Sequence, residues 1–484
     1  MNSFDFFFKN TSYLEKRFLI GNEEISFKDL YNSSLKLASW LNDKYGENNN
    51  IILISINNQF FLIVYLAIIK SGNICIPLDP GIETDNFNFI ATLTNPITIF
   101  TTNDMVKRLP IEKYNHLLPD ILKSYNYDGA LIKNEESFEK DRCAEIVFTS
   151  GSTGKPKGVM ISHKNLIQNT KSIIEYLGLN SNDRMLVVLP FFYCYGLSLL
   201  HTHLYVGGSL VINNSFIFLG KVINDLVEHK CTGFAGVPSH FQILLRTSES
   251  FKNIHFPGLK YVTQAGGKLP SIFIDEFRKL KPNVKFWVMY GQTEATARLS
   301  CLYPDDYEKK KGSIGRAIPG VDLRVINEDG KQVKPGETGE VIAKGDNIMI
   351  GYYKDKQSTK NIIKKEWLYT GDIGTVDEDG YIFLTSRKKE IIKVRGKRIN
   401  PKEIEAVICQ LQDIVDCSIE GTEDELQGEI LKATIIVSKG SINSITEKTI
   451  QQHCAKYLAL YKIPHICEIS HSLHISSTGK RIKG

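Results

Sequence analysis

The chain has 484 residues, 42% of them hydrophobic and 23% charged, which is the balance of a globular protein too long for a single core. The net charge of +5 is small and the lysines and arginines are scattered, so the composition gives no support for nucleic-acid binding. Nine dispersed cysteines with no CxxC pair argue against a disulfide framework and against a zinc site.

The amino terminus has no basic leader, and Asp5 interrupts its one apolar run, so we do not expect a signal peptide. The longest apolar run, residues 60–69, ends at Lys70 and is too short to cross a bilayer. These features predict a buried core helix at this run, no membrane span and a cytoplasmic location.

The first part of the chain predicts strands that alternate with helices. In chain order, the predicted elements are a strand at 51–56, a helix at 58–71, and strands at 74–78 and 145–149, followed by a helix at 164–177 and strands at 185–189 and 209–212. This order is typical of parallel sheets covered by helices.

After about residue 310, short predicted strands at 323–326, 339–342 and 381–384 are separated by Asp-Gly turn signals. They predict a small antiparallel or barrel-like unit over about 310–386. The fold class predicted is therefore α/β.

The predicted domains are a large N-terminal domain, 1–386, made of helix-covered sheets and the barrel-like unit, and a small mobile α+β domain, 387–484. Within the second domain, a helix is expected to begin with Asn400 as its N-cap and Pro401 at its first position.

A loop rich in glycine and hydroxyl groups, TSGSTGKPKG, directly follows a predicted strand. Glycines let the backbone turn closely around an anion, hydroxyls donate hydrogen bonds, and lysines neutralise charge, so the loop suits a polyphosphate. It is not a Walker A loop, because Thr149 stands where that motif has glycine and Pro156 follows Lys155. A solvated turn is the alternative interpretation.

This loop resembles the signature loop of the adenylate-forming superfamily, which includes acyl- and aryl-CoA ligases, amino-acid adenylation domains and firefly luciferase. In that family the loop holds the β- and γ-phosphates of ATP. The residues to which the resemblance gives this role are Thr149, Ser150, Gly151, Ser152, Thr153, Gly154 and Lys155.

A second matching motif, Tyr-Gly-Gln-Thr-Glu, follows a predicted strand and supplies a flat ring, a hydroxyl and a carboxylate, the last being a ligand type that Mg²⁺ prefers. The resemblance implies that Tyr290 lies beside adenine, Thr293 at the α-phosphate and Glu294 on the metal. Gly266 and Gly267 resemble the strand end that lines the adenine and acyl pockets.

Three further matches lie towards the end of the chain. Asp372, in Tyr-Thr-Gly-Asp, is suited to accept from two vicinal ribose hydroxyls, and the resemblance assigns this role to it and places Arg387 at the ribose. Lys389 matches the family's hinge between domains. Lys480 resembles the catalytic lysine that touches the carboxylate and the α-phosphate. Because these motifs occur together in family order, the chain is identified as a member of the superfamily.

The implied reaction joins a carboxylate to the α-phosphorus of ATP, expels pyrophosphate, and then transfers the acyl group to a thiol after the small domain rotates. Because two anions must meet, catalysis depends on charge neutralisation by Lys480, Thr293, Glu294 and Mg²⁺ rather than on a protein nucleophile. Coenzyme A is the expected acceptor. The alternative is the phosphopantetheine of a separate acyl carrier protein, because the sequence runs to Gly484 without a fused carrier domain.

The acyl pocket implied by the resemblance contains Tyr193, Cys194, Gly196 and Val237. Many acyl- and aryl-CoA ligases carry histidine where this chain has Tyr193. Amino-acid adenylation domains usually carry aspartate where this chain has Cys194, so an α-amino acid is disfavoured. The aromatic residues around Tyr193 favour an apolar acyl or aryl acid, although core packing would explain them as well. A kinase and a non-catalytic nucleotide-binding protein are the competing classes.

Overall fold

The structure of the protein is a computed structural model. It describes residues 1–124, 127, 129–133, 138–149, 155–387, 391–394, 397–424, 428–438 and 445–470.

The strands of the described residues are, in chain order, β1 (Arg17–Ile20), β2 (Ile25–Ser26), β3 (Asn50–Ile54), β4 (Ile74–Leu78), β5 (Thr98–Phe100), β6 (His116–Leu117), β7 (Cys143–Thr149), β8 (Lys157–Ser162), β9 (Arg184–Val187), β10 (Ser209–Ile212), β11 (Gly233–Gly236), β12 (Tyr261–Gln264), β13 (Lys285–Tyr290), β14 (Ser300–Leu302), β15 (Arg316–Ala317), β16 (Val321–Ile326), β17 (Thr338–Gly345), β18 (Gly351–Tyr352), β19 (Ile363–Lys364), β20 (Trp367–Val376), β21 (Ile382–Arg387), β22 (Ile392–Val394), β23 (Lys397–Ile399), β24 (Ile414–Asp424), β25 (Gly428–Val437) and β26 (Ile466–Ser470).

The helices of the same residues are α1 (Ser3–Phe7), α2 (Phe27–Tyr45), α3 (Gln59–Lys70), α4 (Thr84–Thr94), α5 (Asn103–Arg108), α6 (Ile121–Ser124), α7 (His163–Leu177), α8 (Cys194–Val206), α9 (Leu219–Glu228), α10 (Pro238–Thr247), α11 (Glu249–Asn253), α12 (Ser271–Leu280), α13 (Lys356–Ile362), α14 (Pro401–Ile408) and α15 (Glu447–Tyr457).

Two large sheets form the N-terminal part of the molecule. One has the strand order β15-β14-β13-β12-β11-β9-β10-β1-β2 and is parallel from β13 to β1. The other has the order β18-β8-β7-β4-β3-β5-β6 and is parallel from β7 to β6. The predicted parallel, helix-covered sheets are confirmed.

Side-chain alternation along β3 shows how the layers are built. Ile51 and Leu53 belong to a core that both sheets share with α3 and α8, whereas Ile52 and Ile54 belong to a second core that includes α4. Helix α3 is buried from Phe60 to Lys70, as an inner layer between sheets requires, so the predicted core helix is confirmed. No helix in the described part of the chain is long and apolar enough to cross a membrane.

A smaller antiparallel sheet follows, with the order β16-β17-β20-β19 and with β21 paired to β20. It confirms the antiparallel unit predicted in this part of the chain. Asp372 lies on β20 directly opposite Arg387, the last residue of β21, so the sheet register brings the two side chains together.

The C-terminal region is α+β, as predicted, with α14 and α15 beside the three-stranded sheet β24-β25-β26. Helix α14 begins at Pro401, and the Asn400 side chain accepts a hydrogen bond from the Lys402 backbone, so the predicted cap is confirmed. Strand β24 of this region contacts α10: the Gln242 Nε2 atom on α10 donates to Asp416 Oδ1 on β24 at 3.0 Å. The boundary between residues 386 and 387 stays a prediction.

Candidate active site

The candidate site lies where neighbouring parallel strands end. Val237 follows β11, Gly266 and Gly267 follow β12 by two and three residues, and Tyr290 is the last residue of β13. These strands are adjacent and parallel, so their carboxyl ends share one edge of the sheet, the usual place for a ligand in such a fold. Predicted nucleotide and acyl residues therefore meet at this edge.

Tyr290, Asp372 and Arg387 form one hydrogen-bonded cluster. The Tyr290 hydroxyl donates to Asp372 Oδ2 at 2.6 Å, and Arg387 Nε donates to Oδ1 at 2.9 Å. Tyr290 and Asp372 are buried, whereas the Arg387 side chain is 55% exposed. Burial and the adjacent carboxylate raise the pKa of Tyr290 well above its ordinary value, so the phenol remains a donor.

This cluster keeps capacity for a ligand. A carboxylate accepts about four hydrogen bonds through its two oxygens. The two protein donors orient the Asp372 carboxylate, and its remaining lone pairs suit two vicinal hydroxyls such as those of a ribose. The buried ring of Tyr290 supplies a flat face beside them.

Glu294 is held by a residue that the sequence did not indicate. Its Oε1 accepts from the Tyr352 hydroxyl at 2.7 Å, and its backbone carbonyl accepts from Met349 N at 2.9 Å. Within the described residues, no group of three His, Cys, Asp or Glu side chains is arranged to hold a metal. A single oriented carboxylate fits Mg²⁺, because this ion commonly takes one or two carboxylates together with phosphate oxygens and water.

The turn that carries Glu294 has a strained backbone. Thr296 and Ala297 have φ values of 51° and 94°, in the left-handed region that non-glycine residues seldom occupy. Buried Asn347 holds the turn. Its side-chain Nδ2 donates to the Arg298 backbone carbonyl at 2.7 Å, and the Asn347 backbone carbonyl accepts from the Thr296 hydroxyl at 2.7 Å. The sequence did not indicate Asn347, because its partners lie about 50 positions earlier.

Three of the predicted acyl residues lie at the start of α8: Tyr193 is its N-cap, and Cys194 and Gly196 belong to its first turn. The Cys194 thiol lies 3.5 Å from the Thr293 hydroxyl, which joins the acyl side to the nucleotide side. A β-carbon on Gly196 would lie 2.1 Å from the Pro190 carbonyl oxygen, so only glycine permits this approach of the helix to the preceding loop. Val237 is fully buried, and Tyr193 is partly exposed.

Part of the aromatic run is ordinary core, as the alternative interpretation held. Phe191 is fully buried and packs against Phe61 with ring centroids 5.6 Å apart. Tyr195 donates its hydroxyl hydrogen to the Thr263 carbonyl at 2.9 Å. Beside it lies Arg298, whose guanidinium carbon is 4.1 Å from the Tyr195 ring centroid. Arg298 was not among the predicted site residues. An arginine between apolar neighbours can indicate a buried charge, but the local sequence does not show which residues it contacts.

The structure describes the predicted phosphate loop only where it leaves β7 and where it enters β8. Thr149 donates to the Lys157 carbonyl at 3.5 Å, a long hydrogen bond, and Lys155 lies 5.7 Å from the Phe89 ring centroid. The predicted site residues that lie outside the described part of the chain are Ser150, Gly151, Ser152, Thr153, Gly154, Lys389 and Lys480.

Comparison with known proteins gives two family matches, the AMP-binding enzyme at residues 7–353 and the AMP-binding enzyme C-terminal domain at residues 403–480. The chain is 27% identical to peroxisomal OPC-8:0-CoA ligase 1 of Arabidopsis thaliana, over 91% of this chain and 84% of that protein. It is 28% identical to 2-succinylbenzoate–CoA ligase of Oceanobacillus iheyensis, over 95% and 93% of the two chains.

Solved structures show the same fold. The anthranilate CoA ligase AuaEII, in complex with anthranoyl-AMP, superposes with a TM-score of 0.91 at 22% identity, over 99% of this chain and 95% of that one. O-succinylbenzoate coenzyme A synthetase from Bacillus subtilis, in complex with ATP and magnesium, gives 0.85 at 23% identity, over 99% and 98%. With the family match covering most of the sequence, the chain belongs to the AMP-binding enzyme family, the adenylate-forming enzymes that its motifs resemble.

Proposed function

We propose that the protein is an AMP-forming acid–CoA ligase. ATP activates a carboxylic acid as its acyl-AMP with release of pyrophosphate, and the acyl group then passes to the thiol of coenzyme A. The observation that carries this proposal is the cluster of Tyr290, Asp372 and Arg387 at the same sheet edge as Glu294 and Thr293. The two curated relatives named above are CoA ligases, and one of the solved neighbours holds an acyl-adenylate, which supports the same chemistry.

On the nucleotide side, we assign the adenine to the face of Tyr290, with Gly266 and Gly267 beside it, and the two ribose hydroxyls to Asp372, with Arg387 alongside. This assignment uses the acceptor capacity that remains on Asp372 after its two protein hydrogen bonds. The phosphates run from there towards Thr293 and the loop that begins at Thr149.

Charge neutralisation is the main requirement of the first half-reaction, since a carboxylate must approach a triphosphate. Glu294, oriented by Tyr352, would hold Mg²⁺, which when bound offsets the negative charge of the phosphate oxygens. We assign the Thr293 hydroxyl to the α-phosphate and Lys480 to the reacting carboxylate. This scheme uses no protein nucleophile.

For the second half-reaction we assign coenzyme A as the acceptor, which is the acceptor that the names of the curated relatives give. A separate acyl carrier protein presents the same phosphopantetheine thiol and is the alternative. Comparing both acceptors with one preformed acyl-AMP would decide between them, because the first half-reaction is then bypassed and only the transfer to the thiol is measured.

The test is acid-dependent exchange of labelled pyrophosphate into ATP, measured over a panel of fatty, aryl, dicarboxylic and amino acids. We expect exchange with one acid class and its loss in Lys480→Ala. The matched control is Lys360→Ala, which removes an exposed lysine of α13 and should leave exchange unchanged. Release of ADP without exchange would contradict the proposal and indicate a kinase.

A further inference from the structure

Arg298 is a buried cation beside the acyl side of the site. It is 2% exposed and belongs to the largest fully buried side chains of the described residues. Its guanidinium lies over the Tyr195 ring, one Nη atom donates to the Ala297 carbonyl at 3.0 Å, and the other reaches Ser198 Oγ only at 3.5 Å. Arginine stays charged in proteins, so this site contains a buried positive charge.

Among the residues that the structure describes, no carboxylate pairs with this charge. The groups that face it are the hydroxyls of Tyr176 and Tyr195 and the thiol of Cys194, and burial raises the pKa of both tyrosines, which keeps their hydroxyls neutral. The Nε atom of Arg298 is buried and makes no hydrogen bond to the residues that the structure describes. A cation–π contact and neutral acceptors offset only part of the desolvation of a buried guanidinium.

The position of Arg298 connects it to the bound acid. Its neighbour Tyr195 follows Tyr193 and Cys194, the residues assigned to the acyl pocket, and Cys194 in turn lies 3.5 Å from Thr293. The strained turn at Thr296 and Ala297, held by Asn347, fixes the backbone from which the arginine projects. Strain of this kind persists where the surroundings maintain it and is concentrated at functional sites.

We propose that Arg298 binds a second carboxylate on the acid substrate, so that the enzyme activates one end of a dicarboxylic acid while the guanidinium holds the other. This inference rests on the proposed ligase function and names its substrate class. It adds a second carboxylate to the apolar acyl or aryl acid that the aromatic residues favoured, which gives an apolar body with an acidic group at each end. The planar fork of the guanidinium matches a carboxylate, which would give its Nε a partner.

The experiment measures pyrophosphate exchange with matched acid pairs: hexanoate and adipate, octanoate and suberate, and benzoate and isophthalate. We expect the wild type to favour the diacid of the best pair by at least about 10-fold in kcat/KM, since hydrogen bonds between charged groups are worth this much. A wild type that prefers every monoacid would overturn the inference. No exchange with any acid would overturn the proposed function itself, so the two failures are distinguishable.

Two variants assign the preference to this residue. Arg298→Met keeps the length of the side chain and removes the charge, and we expect the diacid-to-monoacid ratio to fall at least 10-fold, mostly through KM. Arg298→Lys should retain part of the preference. The ratio compares two substrates on one protein, so a loss of folded enzyme cancels from it. If Arg298→Met does not fold, the diacid-to-monoacid ratios of the wild type and of Arg298→Lys test the inference instead.

The matched control is Arg324→Met, which removes an arginine whose side chain is 45% exposed and whose partner, Asp322, is likewise exposed. This variant should keep the wild-type ratio. A diacid preference that survives in Arg298→Met, or that is equalled by hydroxy acids of the same length, would contradict recognition of a second carboxylate by Arg298.

Discussion

The two sides of the site treat their polar groups differently. On the nucleotide side, Asp372 accepts from both Tyr290 and Arg387, so both charged groups of this cluster have a protein partner before any ligand binds. On the acyl side, Arg298 is buried against an aromatic ring and neutral acceptors, and its Nε makes no hydrogen bond to a described residue.

We relate this difference to the two ligands, the nucleotide and the acid. The two curated relatives differ in the acid that their names give. A cluster whose charged groups already have protein partners suits the nucleotide, and its residues occur in recognisable motifs. A buried cation that depends on the ligand for its partner suits a specificity determinant, and it occupies a position that no motif marks. The variants below alter one side, or the turn that joins the two.

The largest effect is expected for Asp372→Ala. The change removes the acceptor of both Tyr290 and Arg387 and, in our assignment, that of the ribose hydroxyls. Hydrogen bonds to a charged group contribute about 1.5–3 kcal/mol each, so kcat/KM for ATP should fall by about 100-fold or more in pyrophosphate exchange. Asp322→Ala, at an exposed carboxylate of β16 that also pairs with an arginine, is the control and should behave as wild type.

Gly291→Ala should damage both sides at once. A β-carbon at this position would lie 2.1 Å from the Ala297 carbonyl oxygen, so the strained turn that leads to Arg298 must move away from Tyr290. We expect unfolding free energy to fall by about 1–3 kcal/mol in urea denaturation and KM to rise for both ATP and the acid. Gly220→Ala meets open space within α9 and should be neutral or slightly stabilising. Equal stability of the two variants would contradict this packing.

Tyr352→Phe tests how Glu294 is oriented. The loss of one hydrogen bond to the carboxylate should raise the Mg²⁺ concentration needed for half-maximal exchange by about 10-fold, with little change in KM for the acid. Tyr381→Phe is the matched control, because the Tyr381 hydroxyl donates to the Asp306 carboxylate at 2.7 Å away from the site. An equal Mg²⁺ dependence in both variants would show that Tyr352 does not orient Glu294 for the metal.

The smallest effect on catalysis is expected for Glu145→Gln. Glu145 lies on β7 and accepts from the Tyr65 hydroxyl at 2.7 Å, and Tyr65 also contacts His201 Nε2 on α8 at 2.8 Å, so this buried cluster joins β7 to α3 and α8. Burial raises the pKa of Glu145 to about 7. The folded protein therefore holds this proton more tightly than the unfolded chain, whose glutamate titrates near 4.5.

Because the pKa of Glu145 is higher in the folded protein than in the unfolded chain, the wild type should lose stability as the pH rises from about 4.5 to about 7. Over this range the unfolded chain is ionised at this residue and the folded protein is not. Glu145→Gln has no such proton and should lack this part of the pH dependence in thermal melting between pH 5 and pH 8. Glu328→Gln, in an exposed turn, should follow the wild type. Identical profiles for Glu145→Gln and wild type would show that the carboxyl is not protonated in the folded state.

The sequence predicted the fold where the pattern is local. The apolar run that became α3, the Asn400 cap and the antiparallel unit could all be recognised from neighbouring residues, since burial on both faces and turn chemistry leave marks within a few positions. Element ends were less exact: the strand predicted at 339–342 extends over Thr338–Gly345, because pairing with two neighbouring strands lengthens it beyond its apolar centre.

For the site, motifs named the residues but not their supports. Tyr352, Asn347 and Arg298 act through contacts with residues about 50 to 100 positions away, and nothing in the local sequence indicates such contacts. The same limit affected the substrate. Tyr193 and its aromatic neighbours favoured an apolar acid, whereas the buried charge that argues for a second carboxylate became visible only once Arg298 and Tyr195 were in contact.

The central claim is that the protein joins an acid to coenzyme A with formation of AMP. Its most direct test is a product analysis with the best acid of the panel, ATP, Mg²⁺ and coenzyme A, by chromatography and mass spectrometry. We predict one AMP and one pyrophosphate for each acyl-CoA formed, and acyl-AMP accumulation when coenzyme A is left out. Release of ADP and phosphate, or consumption of ATP that does not depend on the acid, would contradict it.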